Sequence, residues 1–263
     1  MSSSTAHDPG LSGRRALVTG AGQGVGEAIA RQLAAAGCTV LVNDYFPDRA
    51  AAIAKRIVTE GGSAISVPFD VTEHDAVAAA VSTHGGVDVL VNNAGNAGPQ
   101  AFGTVEPFAD TKPEQWTPYI DVNVYGVMNC THAVLPGMVD AGWGRVITIV
   151  SDAGRTGGAN FAAYSAAKAA AAGFSRAVAR EVAKHGVTCN TIALGTMRTP
   201  LTEAIWTEPE HEDLRRTLLA GYLVRRPGEP DDVAWMVLTL ASPRASWVTG
   251  QTIPVNGGFS FAQ

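Results

Sequence analysis

From Arg15 onward, short runs of β-branched and aliphatic residues alternate with longer Ala-rich segments whose apolar positions recur at helical spacing. RALVT is followed by GVGEAIARQLAAAG, TVLVND by PDRAAAIAKRIVTEGG, and AISVPFD closes the first set. A second set runs EHDAVAAAVSTHG, VDVLVNNAG, a helical stretch from Asn123 to Asp140, GRVITIVS, the Ala-rich run from Phe161 to His185, and VTCNTIAL. This alternation predicts one α/β domain built as a doubly wound parallel sheet with helices on both faces. The strand runs are nearly continuous in Val, Ile and Leu, the pattern of strands covered on both sides. Right-handed crossovers place the ligand crevice at the carboxyl ends of the strands, so every loop leaving a strand is a candidate site. The expected boundaries are a flexible tail over residues 1–12 and a domain over 13–263, within which residues 196–230, mixed in pattern, form a lid over the crevice.

A chain of 263 residues with 46% hydrophobic content can bury one large core. Its net charge of −5 and pI near 5.7 leave no long basic stripe, so neither nucleic acid nor an anionic membrane surface is an expected partner. The start, MSSSTAHDPGLSG, has no basic segment followed by an apolar one, and no later run approaches the ~18 apolar residues of a membrane span. A cytoplasmic protein is expected. Cys38, Cys130 and Cys189 are too few and too scattered for a disulfide framework, and read as buried thiols in a reducing compartment. The histidines at 74, 84, 132, 185 and 211 are dispersed without metal-ligand spacing, so no metal is expected.

The first strand runs into TGAGQGVG, Thr19 to Gly26, which opens the first helix. Gly20, Gly24 and Gly26 allow a tight turn and close approach of backbone to a pyrophosphate resting on the helix N-terminus. The second strand ends in Asp44, at the spacing of an acid that accepts from a ribose hydroxyl. A carboxylate there repels a 2′-phosphate, which favours NAD over NADP, and Gln23 and Tyr45 offer no cation to offset it, although Arg49 is near in the chain. The alternative is that Asp44 caps the helix beginning near Pro47.

In YSAAK, Tyr164 and Lys168 are four apart in a segment of high helix propensity, so both project from one face. A phenol with a reference pKa near ~10 needs a shift of about 3 units, roughly 4 kcal/mol, to act as a base near neutrality, and a nearby ammonium works in that direction. An ordinary surface Tyr and Lys is the other reading of the same spacing. Ser151 ends GRVITIVS at the carboxyl edge of the sheet, so a carbonyl oxygen could be held by two hydroxyls. Asn123 lies within a helical stretch, where an amide is a poor choice for propensity alone.

Taken together, TGAGQGVG, the Asp70–Val71 pair of FDVT, NNAG at Asn92 to Gly95, Asn123, Ser151, YSAAK and the C-terminal VTGQTIPVNGG resemble the short-chain dehydrogenase/reductase family from Leu11 to Phe259. The resemblance implies a Rossmann-like fold and hydride transfer between NAD and a secondary alcohol or ketone. It implies that Tyr164 is the acid/base, that Lys168 lowers its pKa and binds the nicotinamide ribose, that Ser151 orients the substrate oxygen, and that Asn123 supports a relay water. It further implies cofactor contacts from Gln23 and Val25 in the glycine turn, from Asp70 and Val71 at adenine, from Asn93, Ala94 and Gly95 along the backbone, and from Gly195, Met197 and Thr199 at the carboxamide. The chain departs from the family at IALGTMRTP, where Leu194 replaces a common proline; a looser local turn is expected.

The lid segment combines Trp206, Tyr222 and several leucines with arginines, suited to a bulky, mainly apolar substrate such as an alicyclic or steroid-like alcohol. Arg155 and Arg198 follow two site loops, and either one pairing an anion would instead suit a hydroxy acid or a 3-oxoacyl thioester on CoA or a carrier protein. A catalytically silent NAD-binding regulator, or epimerase or dehydratase chemistry, are the rivals. The alanine-rich face of the helix bearing YSAAK admits a partner helix, and family resemblance implies a homotetramer, or failing that a homodimer.

Overall fold

The computed structural model describes residues 9–96 and 105–261. Seven strands form one parallel sheet: β1 (Arg15–Val18), β2 (Thr39–Val42), β3 (Ser63–Ser66), β4 (Val89–Asn92), β5 (Gly144–Ser151), β6 (Val187–Leu194) and β7 (Thr252–Val255). Their order is β3-β2-β1-β4-β5-β6-β7, so the winding reverses between β1 and β4 and opens a crevice there.

Alternation along each strand divides the apolar residues between two cores. Ala16, Val18, Val40, Val42, Val89, Val91, Ile147 and Ile149 face helices α1 (Gly24–Ala35), α2 (Pro47–Thr59) and α10 (Pro230–Ala241). Leu17, Leu41, Leu90 and Val146 face α3 (His74–Thr83), α5 (Gly126–Ala141) and α7 (Ala162–Val182). The expectation of two-sided cover fails at the edge: in β3 the pattern is exposed, partly buried, exposed, partly buried, because SAIS has a neighbour on one side only. Cys38 lies in the first core and Cys130 and Cys189 in the second; burial pushes each thiol up to about 12.

Local chemistry sets the helix ends. Proline opens α2 and α10, where its missing N–H costs nothing, and Gly142 stops α5 in a left-handed conformation at φ 64°. The expected helix over 123–140 is two helices joined by a π turn: α4 (Pro113–Ile120) passes through Asp121–Tyr125 into α5, and Asn123 sits in the turn.

Of the tail expected over residues 1–12, Pro9 and Leu11 are bound to the fold. Leu11 is fully buried in the first core, its carbonyl accepts from the Cys38 thiol, and the Pro9 carbonyl accepts from Ser242 Oγ at 2.8 Å. Residues 1–8 lie outside the described residues. The lid segment holds α8 (Glu203–Thr207) and α9 (Glu212–Ala220), the latter with no buried side chain. The short α6 (Ala153–Thr156) follows Ser151.

Candidate active site

The glycine turn is held from β4. Thr19 Oγ1 accepts from the Asn93 and Ala94 amides at 3.0 Å each, while Asn93 Nδ2 donates to the carbonyls of Thr19 and Gly20, also at 3.0 Å. Asn93, expected at the cofactor, thus spends both its side chain and its amide on the turn. A side chain at Gly26 would collide with the Gly20 carbonyl and come within 2.5 Å of Asn93 Nδ2. Gly20 and Gly24 hold φ values of 60° and 58°. Thr199 stands 3.5 Å from where a Gly24 side chain would begin, so the loop after β6 closes over the turn. Val25 packs against the first core.

Asp44 is buried at the crevice edge, and the N-cap of α2 is Phe46, whose own side chain makes no capping bond. Its Oδ2 accepts from the Gly22 amide and its Oδ1 from the Phe46 amide, both at 3.0 Å, which leaves each oxygen one further lone pair. The Arg49 guanidinium lies over the Phe46 ring at 4.4 Å. Asp70 closes its own turn by accepting from the Thr72 amide and hydroxyl. Val71 is buried, and its carbonyl is held by Asn129 Nδ2 at 3.0 Å.

At the other end of the crevice, Ser151, Tyr164, Lys168 and Asn123 converge. Lys168 is buried, and Nζ donates to Ile149 O at 3.0 Å, two residues before Ser151 on β5. Asn123 Nδ2 donates to Asn96 O at 2.7 Å and Tyr119 O at 2.8 Å, which aims Oδ1 inward, buried and without a partner among the described residues. Lys168 Nζ and Asn123 Oδ1 come within 3.0 and 3.2 Å of where a Gly95 side chain would begin. Left-handed glycines, a carboxylate at the second strand end and an orphaned amide oxygen beside an ammonium fit a dinucleotide laid across the switch point.

The phenol itself differs from expectation. Burial pushes the Tyr164 hydroxyl up; the hydrogen bond with Ser151 pulls it down, and Tyr119 adds to the rise. Lys168 Nζ lies 5.8 Å from the Tyr164 ring centroid and is turned to the Ile149 carbonyl.

Burial pushes Lys168 down from 10.5 to about 8. Below pH 8 the ammonium is present in folded and unfolded chains, and the penalty for burying it is complete. Between 8 and 10.5 the folded lysine is neutral while the unfolded one still holds its proton, so stability rises with pH across that window. Wild type is expected to gain roughly 2–3 kcal/mol on Lys168→Met between pH 8 and pH 10. Urea unfolding of both chains at the two pH values measures this; a constant difference would overturn it.

The loop after β6 is tight where a looser turn was expected. Leu194 stays in register with Ser151 and Val255, and its carbonyl accepts from the Asp152 amide at 2.9 Å. Tyr222, expected as a lid aromatic over substrate, is buried; its hydroxyl accepts from the Thr196 amide at 2.7 Å and donates to Thr196 Oγ1 at 2.8 Å. A side chain on Gly195 would meet the Tyr222 ring at 2.9 Å, so this glycine makes room for tyrosine as well as for a ligand. Met197 buries its side chain in the first core, and its carbonyl accepts from Thr202 Oγ1 at 2.8 Å. Trp206 is tied to Thr202 Oγ1 at 3.3 Å.

Neither arginine is free for an anion. Arg155 bonds Asp152 Oδ1 at 2.7 Å and the Phe261 carbonyl at 2.7 Å; Arg198 makes a paired contact with both oxygens of Glu203. His74 and His132, remote in sequence, meet at 3.2 Å on the surface. A cavity of about 440 Å³ lies behind the 195–197 loop, bounded by Tyr222, Trp235, Asn256 and Gly258, without contact to Tyr164. Beside Tyr164 there is a narrow aromatic cleft of about 20 Å³ walled by Phe108, Trp116, Tyr119 and Phe161. Thr19, Tyr119 and Phe161 escape a reading of the sequence, and Tyr222 takes a role other than the one expected of it. Only Thr19 has a local signal, as the hydroxyl at the end of β1.

The family model described as enoyl-(acyl carrier protein) reductase matches residues 20–260. The chain belongs to the short-chain dehydrogenase/reductase family. It is 37% identical over 252 residues to the 3-oxoacyl-[acyl-carrier-protein] reductase of Vibrio harveyi, covering 94% of this chain and 98% of that one. It is 36% identical over 252 residues to the 7alpha-hydroxysteroid dehydrogenase of Escherichia coli (strain K12), covering 94% of each. A gluconate 5-dehydrogenase from Burkholderia cenocepacia, solved in complex with NADP and tartrate, superposes with a TM-score of 0.87 at 33% identity, covering 97% of this chain and 98% of that one. As a short-chain dehydrogenase/reductase the protein is an oxidoreductase that uses a pyridine nucleotide and a small-molecule substrate. No helix among its described residues is long and apolar enough to cross a membrane.

Proposed function

We propose that the protein transfers a hydride between NAD(H) and a secondary alcohol or ketone of bulky, mainly apolar character, with Tyr164 as acid/base. The carrying observation is the meeting of Ser151, at the end of β5, and Tyr164 with the buried Lys168 and the inward amide oxygen of Asn123. When bound, NAD supplies the hydride acceptor or NADH the donor. In reduction, Tyr164 gives its proton to the carbonyl oxygen while Ser151 donates a second hydrogen bond to that oxygen; in oxidation, the phenolate takes the proton back. Ser151 lowers the cost of that phenolate, and the Lys168 ammonium, now bonded to Ile149 O, would lower it further when it holds the ribose. Asn123 Oδ1 holds the water that passes the proton on.

Gly20, Gln23, Gly24, Val25 and Gly26 would hold the pyrophosphate, Asp44 the adenine ribose, and Asp70 and Val71 the adenine. Asn93, Ala94 and Gly95 would follow the cofactor with their backbone, and Gly195, Met197 and Thr199 would hold the carboxamide. The free lone pairs of Asp44 support NAD over NADP. Wild type is expected to prefer NAD by roughly tenfold or more in kcat/KM, and Asp44→Ala to remove most of that preference. Kinetics with both cofactors measure it; a wild type that prefers NADPH would refute NAD.

The aromatic side chains beside Tyr164, Phe108, Trp116, Tyr119 and Phe161, favour an apolar substrate, while the cleft between them, about 20 Å³, must widen before an alicyclic or steroid-like one enters. Reduction of a 3-oxoacyl thioester is the second reading, supported by the similarity to the Vibrio harveyi reductase, although Arg155 and Arg198 are both committed to acids of this chain. A panel of alicyclic alcohols and hydroxyacyl-CoA esters, followed by NADH absorbance, separates the two; absorbance unchanged by every alcohol and thioester would defeat both. We also place residues 13–263 in one domain with the lid at 196–230. The exposed alanines 162, 166, 169 and 170 of α7 support pairing of subunits as a homotetramer or homodimer, which light scattering reads.

A further inference from the structure

Asp152 follows Ser151 directly and is only 3% exposed. A carboxylate out of water costs several kcal/mol unless donors surround it, and here they do. Oδ1 accepts from Arg155 Nη1 at 2.7 Å and from Ser260 Oγ at 3.0 Å, and Oδ2 accepts from Asn256 Nδ2 at 2.6 Å. Arg155 also reaches Ser260 Oγ at 2.8 Å, and Asn256 Nδ2 reaches the Ser260 carbonyl at 2.9 Å. The backbone of Asp152 is fixed too: its amide donates to Leu194 O, and its carbonyl accepts from the amides of Arg155 and Thr156.

The same C-terminal segment reaches the loop after β6. Phe259 lies against Tyr222, ring centroids 5.2 Å apart, and the Tyr222 hydroxyl grips Thr196. Asn256 follows the last residue of β7, whose neighbour β6 ends at Leu194, opposite Ser151. Residues 256–261 therefore touch two loops that leave adjacent strands, one carrying Ser151 and the other Gly195 to Thr199. A contact needed only to tether a chain end could sit anywhere on the surface; this one is centred on a buried carboxylate that follows Ser151 directly in the chain.

We propose that Asp152 is a positioning residue which, with Arg155, Asn256 and Ser260, clamps the Ser151 loop and the 195–199 loop into one body through the C-terminal segment. This rests on the reading of Ser151 and Tyr164 as the reacting hydroxyl pair. The clamp acts through Ser151: a displacement of that hydroxyl by a fraction of an ångström weakens its bond to Tyr164 and its hold on the substrate oxygen.

The test uses the full chain in four forms: wild type, Asp152→Asn, Asn256→Asp, and the swap carrying both changes. Asp152→Asn sets amide against amide, and Asn256→Asp sets carboxylate against carboxylate, while the swap restores one of each. Each single change is expected to lower kcat by roughly 10- to 100-fold with KM for NAD within about threefold, and the swap to recover most of the loss. Independently of turnover, the phenolate absorbance of Tyr164, taken as the difference from the same chain carrying Tyr164→Phe, is expected to titrate higher by roughly half a unit or more in the single variants and to return in the swap. Ser260→Ala, which removes one donor, serves if a single variant fails to fold, with an expected loss of about threefold to tenfold.

A fall in melting temperature with kcat and the Tyr164 titration unchanged would reduce the clamp to a tether and overturn the proposal, as would a swap no better than its parents. A wild type without turnover would remove the proposed reaction, whereas the phenol titration would still decide whether the clamp sets Ser151.

Discussion

A Tyr164→Phe chain is expected to lose roughly 10²- to 10⁴-fold in kcat while binding NADH as wild type does. Only the hydroxyl is removed. The ring stays, and with it the edge contacts to Tyr119 and Phe161 at centroid distances of 6.0 and 6.3 Å, so α7 and the cleft keep their packing. The nucleotide elements, from the glycine turn to Asp44, do not touch this ring. What disappears is the hydroxyl proposed to move a proton at a substrate oxygen shared with Ser151. Steady-state turnover and quenching of protein fluorescence by NADH read the two properties separately. Near-normal turnover would remove Tyr164 from the reaction; lost NADH binding would show that the hydroxyl supports the cofactor instead.

Gly26→Ala is expected to weaken NADH binding by roughly 100-fold or more and to lower the folding stability by the roughly 1–3 kcal/mol typical of an overpacked site. The new methyl would strike the Gly20 carbonyl and approach both Asn93 Nδ2 and Ala21 Cα, at 2.5 and 2.9 Å. Two of these three are backbone, and the third is the amide that staples the turn to β4. Relief requires moving the turn, the surface on which a pyrophosphate would rest. Gly24→Ala is the milder control: its nearest neighbour stands at 3.5 Å, and its cost is chiefly the left-handed φ of 58°, about 1 kcal/mol. Titration with NADH and thermal melts of both variants test the order. Wild-type affinity in the Gly26→Ala chain would sink the assignment of this turn to the phosphates.

The sheet is legible in the sequence because its signal is local and repeated. Runs such as TVLV and RALV carry their own period, and the helices between them leave parallel pairing as the only short-range solution. Tyr164 and Lys168 are legible for the same reason, since a spacing of four on a helix is itself a distance. Residues whose roles depend on a partner far along the chain are not. Tyr222 reads as a lid aromatic until the backbone brings it under Thr196, and Arg155 reads as a free cation until the C-terminal segment returns to it. Asn123 stands out as an oddity of helix propensity, but propensity contains no word for a π turn, which takes the wider geometry to reveal. Leu11 falls to the tail because one leucine among polar residues has no period; only the first core shows what it fills.

The three cysteines give the molecule a built-in chronometer. Cys38 is closed within one side of the sheet and Cys130 and Cys189 within the other, each thiol held protonated by burial. A thiol-specific reagent in solution can label each only when its side of the structure opens. Labelling followed cysteine by cysteine would time the breathing of the two halves separately, in the native chain and without any substitution.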